Sequence, residues 1–108
     1  MNVSFEEIGR MAVTFAQSGC ESGQVCKLDA DGKMVPCAAG DKFCGIVESI
    51  RGGHAAVQME GFATVRVSGA VNLGYVTLCA DGAGGVKSGS GREYLVVSLR
   101  GDTAVIKL

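Results

Sequence analysis

Seventeen of the 108 residues are glycine, and they fall between short apolar runs rather than in one tract. The share is more than double the ordinary ~7%. Glycine takes the left-handed backbone angles of tight turns without strain. A chain broken this often cannot sustain long helices, and the runs between the breaks are β-like. Many short strands joined by tight turns are therefore expected, not disorder.

The runs can be read one by one. Met11 to Phe15 is a first strand. Gln24 to Leu28 and Lys33 to Cys37 flank Asp31-Gly32, and Phe43 to Ile50 and Ala55 to Glu60 flank Gly52-Gly53; both are hairpin signals. Phe62 to Val67 alternates Ala63, Val65 and Val67 with Thr64 and Arg66, the pattern of a half-buried strand. Tyr75 to Cys79 is followed by a short Val86-Lys87 strand. Glu93 to Arg100 and Thr103 to Leu108 flank Gly101-Asp102. Some ten short strands at close spacing give an all-β fold, a small single-domain β-barrel or sandwich spanning 11–108. Residues 1–10 stand apart as a short N-terminal helix or an extended arm. Ser4 and Glu7 have capping-box spacing, Phe5 and Ile8 share a face, and Gly9 weakens the helix.

Two strands look apolar on both faces. Tyr94 and Val96 oppose Leu95, Val97 and Leu99; Phe43 and Val47 oppose Cys44, Ile46 and Ile50. One face fills the core, and the other needs a second cover, which in a chain this short is expected from a neighbouring subunit. The hairpin at Gly23 to Gly32 is echoed at Gly74 to Gly82, one residue shorter, with Ala-Asp-Gly closing both. Either one hairpin design is used twice, or two hairpins share their turn chemistry; a repeat array needs three or more units.

Motifs for chemistry are sparse. Leu28-Asp29-Ala30-Asp31-Gly32-Lys33 resembles the front of a calcium loop, but Lys27 and Ala38 fall where the first and twelfth ligands belong. Five cysteines, an odd number without a C-x-x-C pair, read as mainly buried free thiols. A zinc site from Cys20, Cys26, Cys37 and Cys44 lacks the usual paired knuckles. His54 is the single ready general base and sits at an exposed turn. Gly82 to Arg92 is glycine-rich with Lys87 but lacks phosphate-loop spacing and a following helix. No catalytic residue, metal or cofactor is expected. The net charge of -1 shows no basic surplus for nucleic acid, no run is long enough to span a membrane, and the N-terminus lacks the basic start of a secretory signal. A non-secreted protein, cytoplasmic or assembled in a cytoplasm, is expected.

Taken together, Gly23-Gln24-Val25, Gly40-Asp41-Lys42-Phe43-Cys44-Gly45-Ile46-Val47, Ala56-Val57-Gln58-Met59-Glu60-Gly61, Gly74-Tyr75-Val76 and Tyr94-Leu95-Val96-Val97 resemble a family of small phage and prophage proteins, the capsid decoration or cement proteins. The resemblance runs from Val13 to Leu108. It implies a non-enzymatic homo-oligomer, a trimer, that binds the major capsid protein on the outside of the head, and a location in the virion or in the cytoplasm of a host carrying the prophage. The N-terminal segment and the cysteines lie outside that pattern. With Phe5 and Ile8 as its apolar residues, the segment is the expected capsid anchor. The alternative reading is an oligomeric barrel that binds a small ligand; an enzyme ranks third.

Overall fold

The computed structural model describes residues 10–108. The N-terminal helix or arm, with Phe5 and Ile8, lies outside them. Among the described residues there are ten strands and no helix. Strands β1 (Met11–Ala16), β2 (Val25–Leu28), β3 (Met34–Pro36), β4 (Gly45–Arg51) and β5 (His54–Glu60) form one sheet, in the order β1-β5-β4-β2-β3. Strands β6 (Phe62–Arg66), β7 (Gly74–Ala80), β8 (Val86–Ser88), β9 (Arg92–Arg100) and β10 (Thr103–Lys107) form the other, in the order β6-β10-β9-β7-β8. All sheet neighbours run antiparallel, and the two sheets pack as a sandwich. The three expected hairpins are present; Gly32, Gly52 and Gly101 take φ of +80°, +62° and +58°, which side-chain-bearing residues adopt only with strain.

The second strand order is the first with every number raised by five, and the registers agree as well. Val57 pairs with Val13 and Val47, as Ile106 pairs with Ala63 and Val96. Gln17 bridges Met34 in parallel, as Val67 bridges Val86. Ser18 N–H donates to the Met34 carbonyl at 3.0 Å, and Ser68 N–H to the Val86 carbonyl at 2.9 Å. In each half, the end of the first strand thus returns to the far hairpin, and the sheet curls around its own lining.

The hairpin echo is therefore part of a duplication of the whole sheet, but its alignment needs correcting. The counterpart of Asp81 is Asp29, not Asp31. Asp29 Oδ1 accepts from the Asp31 and Lys33 amides, both at 2.9 Å; Asp81 Oδ1 accepts from the Ala83 and Gly85 amides at 2.7 and 3.0 Å. Val25 faces Ile46 as Tyr75 faces Leu95, and Leu28 faces Met34 as Ala80 faces Val86. From 25 to 28 is three steps and from 75 to 80 is five, so β7 carries two extra residues.

The strands expected to be apolar on both faces, β4 and β9, instead each carry a bulge. The register slips at Glu48 in β4 and at Val97 in β9. One extra residue in a strand exchanges the faces beyond it. Ile50 and Leu99 therefore point to the lining side, opposite Ala55 and Ala104, rather than sharing a face with Ile46 and Leu95.

Ile46 itself is covered within the chain. The first lining consists of Cys20, Cys26, Met34, Val47, Ala55 and Val57. The second, built around Leu78, Val86, Val96 and Ile106, also takes in Val25, Phe43 and Ile46 from the first half. The back of the first sheet thus closes the lining of the second. Phe43 stacks on Tyr94 with centroids 4.8 Å apart and planes 7° from parallel, and the Tyr94 hydroxyl donates to the Phe43 carbonyl at 3.2 Å. Val25 N–H donates to Gly84 O at 3.0 Å, Gly40 N–H to Ala80 O at 2.8 Å, and Ala80 N–H to Asp41 O at 2.9 Å. Lys27 holds Asp41 by a 2.6 Å ion pair, fixing that connection.

Ile46 is 5% exposed and Ile50 36%. Ile46→Ala should therefore lower the unfolding free energy by about 2–5 kcal/mol, and Ile50→Ala by about 1–1.5 kcal/mol. Denaturant titration measures both. Equal losses would contradict this difference in burial.

Candidate functional site

The bulges also set the outer faces. Beyond Glu48, Ser49 faces Ala56 and, across it, Thr14; beyond Val97, Ser98 faces Val105 and, across it, Thr64. Each bulged strand ends in an arginine, Arg51 or Arg100, just before a two-residue turn. Thr14, Ser49, Arg51 and His54 line a shallow depression with Ala55 and Ala56. Thr64, Ser98, Arg100 and Thr103 line another with Ala104 and Val105. Position by position, these are the same set. Threonine, serine and arginine stand in both halves, and His54 is replaced by Thr103. Two hydroxyls beside a guanidinium fork suit a carboxylate or another oxyanion. The imidazole stands in the first copy alone, and in the second the Thr103 hydroxyl donates to the Arg100 carbonyl at 2.9 Å.

None of these residues except His54 stands out from the sequence as a site; the signal for them is Ser49-Ile50-Arg51-Gly52 repeated as Ser98-Leu99-Arg100-Gly101, with Ala55 and Ala104 beyond. His54, the residue singled out as a general base, is exposed as expected and forms one wall of the first depression.

The glycine-rich stretch has a structural explanation. The Ala83 and Gly85 amides, which a phosphate would need, are taken by the Asp81 carboxylate, and Ser68 Oγ donates to its other oxygen at 2.6 Å. A Cβ at Gly91 would overlap the Leu78 carbonyl oxygen. The calcium-like loop is organised in the same way, with Asp29 turned inward onto two backbone amides.

All five cysteines are free thiols. Cys26 and Cys44 come together: Cys44 N–H donates to the Cys26 carbonyl at 2.9 Å, and Cys44 Sγ lies 3.8 Å from Met34 Sδ. The single proton of Cys26 serves either the Gly45 carbonyl, 3.6 Å away, or the Cys44 sulfur. Donation from Cys26, against the push of burial and helped by the Cys44 and Leu28 amides, pulls the Cys44 thiol down to about 7. The same contact and burial push Cys26 far up. Burial first, then the Asp41 charge, raises Cys37 to about 11. Among the described residues no three His, Cys, Asp or Glu side chains converge as a metal site.

No family model matches the chain, and no curated protein does.

The Cys44 thiolate fraction should rise as pH passes about 7. A limiting alkylating reagent should therefore label Cys44 before the other four, with a rate climbing from pH 6 to 8, and reach Cys26 only on unfolding. Peptide mapping reads the order; equal labelling of Cys26 and Cys44 in the folded protein would contradict it.

For Asp81, burial pushes the carboxyl up. The bonds from Ser68, Ala83 and Gly85, with the nearby Arg66 charge, outweigh that and hold it below its ordinary value. A folded pKa below the unfolded one gives stability above the unfolded value, and this is lost as pH falls through the folded value. Asp81→Ala should cost about 1 kcal/mol at pH 7, after discounting for solvent screening. The gap from wild type should narrow in acid. A gap independent of pH would assign the effect to packing instead.

Proposed function

We propose that this chain is a structural protein of the phage or prophage head, a homo-oligomer that decorates the capsid surface and stabilises it. The observation that carries the reading is the outer depression of Thr14, Ser49 and Arg51, repeated as Thr64, Ser98 and Arg100. One chain presents one contact chemistry twice on a rigid β scaffold. Such a bivalent surface fits a partner that itself repeats, as a capsid lattice does, because the second contact forms at high effective concentration. The order of the glycine-based motifs supports the same reading by resemblance. The ligand-binding barrel is less well supported, because side chains fill both linings: Met34, Val57 and Ile106 are each 0% exposed.

On this reading the oligomer, a trimer, sits on the major capsid protein. The two arginine depressions engage acidic groups there, and the N-terminal segment contributes Phe5 and Ile8 as apolar anchors. Co-expression with the neighbouring capsid gene tests it. The wild-type chain should co-purify with capsids. Arg51→Glu with Arg100→Glu, and separately Phe5→Asp with Ile8→Asp, should each reduce occupancy at least tenfold while leaving the melting temperature unchanged. Full occupancy by the arginine variant would remove the depressions from the contact, and full occupancy by the Phe5 and Ile8 variant would remove the N-terminal segment. Failure of the wild-type chain to bind any capsid protein would sink the reading.

A further inference from the structure

The contact between the two halves is not symmetric. The back of the first sheet, through Val25 and Ile46, closes the lining of the second. The equivalent pair on the back of the second sheet is Tyr75 and Leu95, also cross-strand neighbours. Val25 and Ile46 are 3% and 5% exposed; Tyr75 is 70% exposed, with Leu95 half-buried and Leu73 beside it at 61%.

The opposite surface has the same imbalance. In the second half, Ala63, Ala80 and Leu108 are buried beneath the first half. Their counterparts in the first half are Val13, Leu28 and Met59, by strand register for the first two and by continuation of β5 and β10 for the third. Val13 is 37% exposed, Leu28 48%, and Met59 is half-buried. Each chain therefore makes one head-to-tail contact internally and leaves an apolar plug at one end and an apolar socket at the other. A heterologous contact of this kind, repeated between identical units, builds a ring when the rotation closes.

We propose that Tyr75 and Leu95 of one chain dock onto Val13, Leu28 and Met59 of a second copy of this chain, repeating between molecules the contact that joins the halves within one. The proposal rests on the homo-oligomer part of the preceding reading and names its interface. The contact between chains is the weaker of the two. At the position of Phe43 the second half has Arg92, and its connection from β8 to β9 is short, so the stacking on Tyr94 and the Gly40–Ala80 hydrogen bond have no counterpart.

Light scattering on the full chain tests this, with Tyr75→Glu, Leu28→Glu and their equimolar mixture. Wild type should give a multiple of the 11.0 kDa chain mass. Each variant should fall to the monomer with an unchanged melting temperature, because both side chains are exposed. The mixture should recover a dimer, since Tyr75→Glu keeps a working socket and Leu28→Glu a working plug. Monomeric variants that stay monomeric when mixed would mean a symmetric contact and overturn the head-to-tail arrangement. A wild-type oligomer that neither variant disturbs overturns the interface while leaving the oligomer reading intact. A wild-type monomer overturns both. Assembly by a chain beginning at Arg10, where the full chain stays monomeric, would give the socket to the N-terminal segment and overturn the contact between copies.

Discussion

A five-stranded sheet that curls until its first strand bridges its far hairpin still leaves part of its lining open. That part is the rim: Val13 and Leu28 of the first sheet are 37% and 48% exposed, whereas the equivalent Ala63 and Ala80 of the second are 6% and 0% exposed. The back of the first sheet closes it, and the side chains that do so are those whose alternation puts them on the outer face: Val25 and Ile46, with Phe43 just before β4. Burial of these three favours the contact, at about 25 cal/mol per Å² of apolar surface. The Phe43–Tyr94 stack and the backbone bonds to Ala80 and Gly84 fix the orientation. Without this contact the rim of the second core would be open and the relative placement of the two outer faces would not be defined.

The strands and turns could be read from the sequence because their causes are local. Asp31-Gly32, Gly52-Gly53 and Gly101-Asp102 need positive φ at a glycine, and that requirement is met within two residues. The bulges at Glu48 and Val97 could not be read in the same way. Glutamate and valine carry no mark of a bulge, and the slip exists only in the pairing with β5 and β10. Every face assignment beyond those points is therefore inverted, including Ile50 and Leu99, and just before β4 Phe43 packs with Ile46 and Cys44 with Val47, the reverse of their alternation. The two-residue excess in β7 hid the match between Asp29 and Asp81 for a similar reason: it is a property of two registers, not of one segment.

The paired depressions were hidden by the same bulges, since without them Ser49 and Ser98 would point inward. The Cys26–Cys44 contact depends on the connection from β3 to β4 folding back along β2, which spacing alone does not reveal. Once the fold is known, the glycine-rich stretch becomes easier to interpret than its composition suggested. Gly91 leaves room for the Leu78 carbonyl, and Asp81 occupies the amides that would otherwise attract an anion.

The two sheets differ in a way that follows their surroundings. On the back of the first sheet, Val25, Ile46 and Gln58 form a row across three strands. All are buried, and the Gln58 amide donates to Glu60 O and Phe62 O at 3.0 and 2.9 Å, so no polar group is stranded. The matching row on the second sheet is Tyr75, Leu95 and Lys107. A tyrosine and a lysine can be left wet between encounters, because each carries an apolar body with a polar end. Val25 and Ile46 in the same places would expose an adhesive stripe on every free chain. The internal joint thus uses aliphatic side chains and a satisfied amide, and its open counterpart keeps one aliphatic side chain, the half-buried Leu95, between two amphipathic ones. Such a row can stand in water without the cost that Val25 and Ile46 would carry there.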